Sequence, residues 1–252
     1  MTSTRRSRPP SAPAHNLTLP LQHHCEDTVP KRLTGFAGVI FDMDGLLVDS
    51  ETVWHIVEAE FFADRGVTYT DADRQLVIGL RIDHFLDLLR THYGLTEPLE
   101  HMVADLNARM EARIPKMVKE KPGAHRLIDF LLTHDIPMGV ASNSSAGIID
   151  VTMRAMGWDD VLRVRCTGDD EQAGKPAPDV YLTAARRLGI QAARSLGLED
   201  SRNGARAVVA AGMTCGVVPD VTYTQAEAFR EITPHIFGSL DDVRAWLEEE
   251  LS

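Results

Sequence analysis

The sequence predicts an α/β protein: a Rossmann-like, doubly wound parallel sheet with an α-helical domain inserted after its first strand. Three observations carry this. From Phe36 onward, short apolar runs alternate with amphipathic helical patterns, the order that builds a parallel sheet covered on both faces. One stretch, 52 to about 119, breaks the alternation with helical patterns alone. The clusters of charged and hydroxyl side chains also fall at the carboxyl ends of the expected strands, where open α/β sheets bind ligands.

The chain opens on a segment unlike the rest. Residues 1–34 hold Pro9, Pro10, Pro13, Pro20 and Pro30 among Ser, Thr and Arg, and five basic residues against Glu26 and Asp27 leave the segment at +3. It has too little apolar surface to order itself, so a disordered extension is expected. Arg5-Arg6 has no apolar run behind it, which argues against an export signal. The core domain should comprise residues 35–51 and 120–252, with strands over 37–41, 137–142, 161–166, 195–199 and 214–218, and a short one over 235–237. Helices are expected over 125–132, 146–156, 179–188, 203–211 and 240–251, with Gly189 and Gly212 just past helix ends. The inserted helical domain, 52–119, carries helices over 53–63, 82–91 and 97–112, and Pro122-Gly123 marks the return to the core.

Composition removes several function classes. The 252 residues are 44% hydrophobic and 25% charged, as in an ordinary globular protein, and the formal charge of −11 disfavours a nucleic-acid partner. No apolar run approaches the roughly 20 residues that cross a bilayer, so no membrane partner is expected. Cys25, Cys166 and Cys215 are scattered without CxxC pairing, which suits a reducing cytoplasm and disfavours a structural zinc site. The histidines show no HExxH spacing. A monomer is the default expectation.

The first strand runs into Phe41-Asp42-Met43-Asp44-Gly45. Two carboxylates one residue apart, turned into one crevice at a strand end, repel each other unless a cation or a proton compensates. Three further segments are weak signals singly. Ser142-Asn143-Ser144-Ser145 ends one strand and opens a helix, where a serine is ordinarily an N-cap. Gly174-Lys175-Pro176 carries a lone lysine, ordinarily a solvated charge. In Glu199-Asp200-Ser201, Asp200 or Ser201 could merely cap the next helix. Gathered at one sheet edge, they become carboxylates, a hydroxyl, an ammonium group and free amides. Hard oxygens of this kind suit Mg²⁺, which binds through few carboxylates and leaves positions for water and phosphate. A carboxylate can then serve as nucleophile. A calcium loop is disfavoured because Gly45 follows Asp44 directly.

The motifs DxDGxxxDSE, SNSS, GKPxPD and LEDSxNG, in that order from about Gly35 to Leu251, resemble the haloacid dehalogenase superfamily. The closer likeness is to phosphatases and mutases whose helical cap domain is inserted after the first strand. That resemblance implies Asp42 as the nucleophile and Asp44 as the general acid and base. It implies Ser142, Asn143 and Lys175 around the phosphoryl group, with Mg²⁺ on Asp42, the Asp44 carbonyl, Asp200 and Glu199. The partner would be a small-molecule phosphate ester. The dehalogenases lack a carboxylate at the Asp44 position, and the ion-pumping ATPases carry Thr there.

β-Phosphoglucomutase is the rival reading, but it carries a cap-helix His where this chain has Trp54. His55 follows one residue later, about 100° further round the helix. A phosphatase is therefore expected over a mutase, and the paired Asp42 and Asp44 argue against a non-catalytic phosphate-binding protein. Arg81, in the Gly79-Leu80-Arg81-Ile82-Asp83 loop, is expected to reach the substrate, to pair with Asp83 or to face solvent, and Trp54 to serve as a hydrophobic lid or hinge residue, to line an apolar entrance or simply to pack in the cap. GLRID and GKPxPDVY look like bacterial hexitol and deoxy-sugar phosphatases; FDMDGLLVDSE and AAGMTCGVVPD look equally like pseudouridine-5′-phosphatases. A sugar phosphate is the expected substrate, with a nucleotide monophosphate second.

Overall fold

A computed structural model describes residues 35–77, 79–220 and 225–250. The expected disordered extension, 1–34, lies outside the described residues, as does Leu251 at the end of the last expected helix. The central strand β1 (Gly38–Phe41) is buried along its whole length. Its side chains alternate between two apolar layers: Val39 and Phe41 join one cluster and Ile40 the other. A strand buried on both faces reads as a continuous apolar run, which is why it was visible in the sequence.

Beside β1 run β4 (Met138–Ser142) and β6 (Ser195–Glu199), followed outward by β5 (Val164–Thr167) on one side and β7 (Thr214–Val217) and β8 (His235–Ile236) on the other. The order is β5-β4-β1-β6-β7-β8, with every pairing parallel. Strand order therefore reverses about β1, and a crevice opens at the carboxyl ends of β1, β4 and β6. Helices α5 (Ala124–Thr133), α6 (Ala146–Met156) and α9 (Leu240–Glu250) contribute to the first apolar layer. Helices α7 (Asp179–Leu188) and α8 (Arg202–Ala210) contribute to the second.

Between β1 and α5 lie four helices, α1 (Glu51–Ala63), α2 (Asp71–Gln75), α3 (Ile82–Tyr93) and α4 (Leu99–Met117). They leave and rejoin the core through two short strands, β2 (Val48–Asp49) and β3 (Lys119–Glu120), which pair antiparallel. Each is two residues long, too short to leave a periodic signal in the sequence. The short α2 has a full capping box, with Thr70 and Asp73 satisfying each other's backbone amides. Helix α4 runs past the expected end at 112 and carries Pro115 in its last turns. It packs on α6, where a Cβ on Gly147 would lie 2.0 Å from Glu111 Oε1. The strand expected over 161–166 begins only at Val164, because the amides of Val161 and Leu162 both donate to the Trp158 carbonyl in a turn.

Candidate active site

The Asp42 amide donates to Leu198 O, extending the β1–β6 ladder by one bond and fixing Asp42 at the sheet edge. The chain then doubles back: Gly45 N donates to Val48 O, and the Leu47 and Val48 amides both donate to Met43 O. Gly45 takes a φ of +83°, and a Cβ there would stand 2.1 Å from Asp200 Oδ2. Only glycine allows this turn and lets the Asp200 carboxylate approach it.

The turn separates the two acids. Asp42 Oδ1 accepts a 2.5 Å hydrogen bond from Lys175 Nζ, which also donates to Glu199 Oε1 at 2.6 Å. Asp44 Oδ1 accepts from Ser50 Oγ at 2.6 Å and from the Trp54 indole at 3.4 Å. Its Oδ2 accepts from Ser142 Oγ at 3.1 Å and Ser144 Oγ at 2.8 Å. Ser50 stands at the N-cap position of α1 but makes no capping bond there. Its buried hydroxyl serves Asp44 instead.

The structure resolves the alternatives left open for the weaker motifs. Helix α6 is capped by Ser145, whose Oγ accepts from the Ile148 amide, so Ser142 is not a cap. Helix α8 is capped by Ser201, whose Oγ accepts from the Gly204 amide, which releases Asp200. Lys175 is buried between two carboxylates, with its ammonium 5.0 Å above the Tyr181 ring, and is no solvated charge. Asn143 ties two segments together: its Nδ2 donates to Gly79 O and its Oδ1 accepts from the Lys175 amide, each at 3.0 Å.

Glu199 is the most heavily hydrogen-bonded of the acids. Oε1 accepts from Lys175 and from Tyr181 OH, while Oε2 accepts from the Asp200 amide and from the amide and hydroxyl of Ser201. Gly204 makes room for this, since a Cβ there would fall 1.8 Å from Glu199 Oε1. Glu199 thus orients Lys175 and the Asp200 turn together.

Carboxylate oxygens of Asp42, Glu199 and Asp200 all lie within 4.8 Å of one another. Burial drives the Asp42 carboxyl well above the usual carboxylate range; Lys175 opposes this, and Glu199 and Asp44 add to it. Asp200 is driven up by burial and then by Asp42, Glu199 and Glu51. For Lys175, burial works towards the neutral form, but Asp42 and Glu199 outweigh it and hold the ammonium above the usual lysine range. No side chain or amide among the described residues donates to the Asp200 carboxylate. One buried ammonium against three clustered carboxylates, two of them buried, leaves surplus negative charge on hard oxygen donors, and this set fits Mg²⁺.

Asp42, Asp44, Ser142, Asn143, Lys175 and Asp200 line a single cavity of about 100 Å³. Its opposite wall comes from the inserted helices and includes Trp54. Arg81 does not line it. Its guanidinium donates to Asp83 at 2.7 and 2.6 Å and, through Nη1, to Gly168 O and Glu171 O on the core. His55 lies half-exposed near Asp71, away from the cavity, as the helical rotation implied.

Three charged cavity residues escaped the sequence reading: Glu51 as a wall residue, Glu58 and Arg74. Glu51, Trp54 and Glu58 stand at i, i+3 and i+7 on α1, so their shared face was legible. Arg74 comes from α2 and joins them only in three dimensions.

Sheet order, strand-end chemistry and acid cluster together define a class, and comparison with known proteins agrees. The family model for haloacid dehalogenase-like hydrolase matches residues 39–218. The chain belongs to this family, as a phosphoric monoester hydrolase. It is 31% identical over 214 residues to a protein of Drosophila melanogaster named "Probable pseudouridine-5'-phosphatase", covering 81% of this chain and 90% of that one. Hexitol phosphatase B of Escherichia coli K12 is 32% identical over 185 residues, 71% of this chain and 82% of the relative. The crystal structure of CbbY from Rhodobacter sphaeroides in complex with phosphate superposes with a TM-score of 0.75 at 26% identity. It covers 82% of this chain and 96% of that one.

Proposed function

We propose that the protein hydrolyses small phosphate monoesters, sugar phosphates foremost, through a phosphoaspartate formed on Asp42 with Mg²⁺ bound. The observation that carries the reading is the split of the two acids. Asp42 is fixed by Lys175 in the charged cluster, and Asp44 stands apart among hydroxyls and the Trp54 indole.

A Mg²⁺ held by Asp42, the Asp44 carbonyl and Asp200, with Glu199 assisting, would neutralise charge on the phosphoryl oxygens and orient them. In the proposed reaction Lys175 and Ser142 bind the phosphoryl group, Asn143 holds the Lys175 backbone in place, and an Asp42 oxygen attacks phosphorus. The P–O bond to the leaving group breaks, and Asp44 gives that oxygen its proton. Asp44 then takes a proton from the water that attacks the phosphoaspartate, releasing inorganic phosphate and restoring Asp42. A carboxylate approaching a phosphate dianion meets repulsion, which Lys175 reduces, so positioning and field dominate the catalysis.

We propose that the helices of 52–119 form a cap domain that closes this site. Water is the proposed acceptor rather than a second sugar, because Trp54 stands where the mutase carries its histidine. A nucleoside monophosphate is the second substrate reading, favoured by likeness to the Drosophila relative. A cytoplasmic location fits Cys166 and Cys215, both buried and unpaired. No helix among the described residues is long and apolar enough to cross a membrane.

p-Nitrophenyl phosphate hydrolysis with Mg²⁺ and with a chelator tests the reading. Activity should require the metal, and Asp42→Asn should lower kcat by at least about 10³-fold, the scale of losing a nucleophile. Near-normal turnover in that variant would refute the phosphoaspartate route.

A further inference from the structure

The cavity wall opposite the phosphoryl site is acidic, and its acids are half-satisfied. Glu51 and Glu58 both line it, and Glu58 is only 6% exposed. Arg74 Nη2 donates to Glu51 Oε2 at 2.5 Å, and Arg74 Nε donates to Glu58 Oε2 at 3.1 Å. Tyr69 OH also donates to Glu58 Oε2, at 3.2 Å. Each of these bonds reaches an Oε2. The Oε1 of either glutamate accepts no hydrogen bond from a described residue.

Both glutamates line the cavity, so an Oε1 that no described residue serves can take a donor that a ligand brings. Burial raises both carboxyls, Glu58 to about 7, against the pull of Arg74. Above about pH 7, where both glutamates are ionised, two carboxylates around one arginine leave the wall net negative. Sugar and polyol hydroxyls bring donors to such oxygens. A second phosphate or a carboxylate brings only acceptors and like charge. Beside the acids, Trp54, Ile82 and Phe85 give the cavity apolar surface that suits the carbon faces of a polyol.

We propose that Glu51 and Glu58, oriented by Arg74, are the specificity-determining pair: they read the hydroxyls of a neutral polyol or sugar monophosphate and reject esters bearing a second anionic group. This rests on the phosphatase reading above. It goes further in naming the recognising residues and in excluding bisphosphates and phosphocarboxylates.

The test is steady-state kinetics with Mg²⁺ on glucose 6-phosphate, fructose 1,6-bisphosphate, 2-phosphoglycolate and p-nitrophenyl phosphate, using the wild type, Glu51→Gln and Glu58→Gln. The wild type should favour glucose 6-phosphate over both doubly anionic esters by about tenfold or more in kcat/KM. Each glutamine variant should narrow that gap by about fivefold, mostly through KM, with a larger loss on glucose 6-phosphate than on p-nitrophenyl phosphate. A wild type that prefers the bisphosphate or phosphoglycolate overturns the proposal. So does a parallel loss on all four esters, which a merely structural role predicts. If one variant does not fold, the other and the wild-type panel decide.

Absence of any hydrolysis, even of p-nitrophenyl phosphate, would instead count against the phosphatase reading. Selectivity is then read by calorimetric binding to the wild type, where tighter binding of fructose 1,6-bisphosphate than of glucose 6-phosphate overturns the pair's role.

Discussion

Glu58 joins substrate chemistry to stability. Burial lifts its carboxyl to about 7 from the ordinary 4.5, with Arg74 opposing the shift. Between those values the folded state keeps a proton that the unfolded chain has released. Its contribution to stability is therefore present in full below pH 4.5, declines across the window, and is lost above pH 7. The decline is at most roughly 3 kcal/mol for a shift of this size. Thermal melts from pH 4.5 to 7.5 should show a shallower fall in Tm for Glu58→Gln than for the wild type. Identical slopes would remove Glu58 from the account. At the same scale, Gly45 and Gly204 are small because Asp200 and Glu199 need the space their side chains would fill.

At the scale of elements, the inserted helices meet the core through α4 on α6 and through the loop before α3. That loop is fastened by Arg81 Nη1 to Gly168 O and Glu171 O at 3.0 and 3.1 Å, and by Asn143 Nδ2 to Gly79 O. Because Asn143 also receives the Lys175 amide, the fastening reaches the backbone of the lysine that pairs with Asp42. Arg81→Ala should raise KM for a sugar phosphate by roughly three- to tenfold, the cost of about 1 kcal/mol of lost closure, with little change in Tm. Faster amide exchange over 79–83 should accompany it. Unchanged KM and exchange would mean that Arg81 serves only its pair with Asp83.

Across the whole molecule the dominant tension is electrostatic. The formal charge is −11, and three carboxylates crowd one crevice around Lys175, the one lysine buried among the described residues. A divalent cation bound there in the folded state alone stabilises it by mass action, by about 2.7 kcal/mol at a hundred times its dissociation constant. For a chain of this size that is roughly a 5–10 °C rise in Tm. Melts with Mg²⁺ and with a chelator should show it, and Asp200→Asn should abolish most of it. A wild type indifferent to Mg²⁺ would count against the metal reading.

Much of this was legible in the sequence, for identifiable reasons. The parallel core strands are short runs buried on both faces, so burial alone marks them; the motif acids sit where those runs stop. The site's main members follow from that placement. What escaped has a common physical cause. Strands β2 and β3 exist only by pairing with each other across about seventy residues, a distance that no local pattern records. Ser145, rather than Ser142, proved to be the cap of α6, and of the two candidates for α8 it was Ser201 and not Asp200, a matter of backbone angles and not of composition.

Asp42, Asp44 and Lys175 were thus determined by sequence order, because strand ends are local events and the sheet's topology gathers them. Which oxygen faces which donor was decided only by tertiary structure. The Arg74 bridge between Glu51 and Glu58, and Arg81's attachment to the core, depend on helices from distant parts of the chain meeting at set angles. Side-chain partners across such a gap are fixed by packing, and no periodicity in one segment encodes the other.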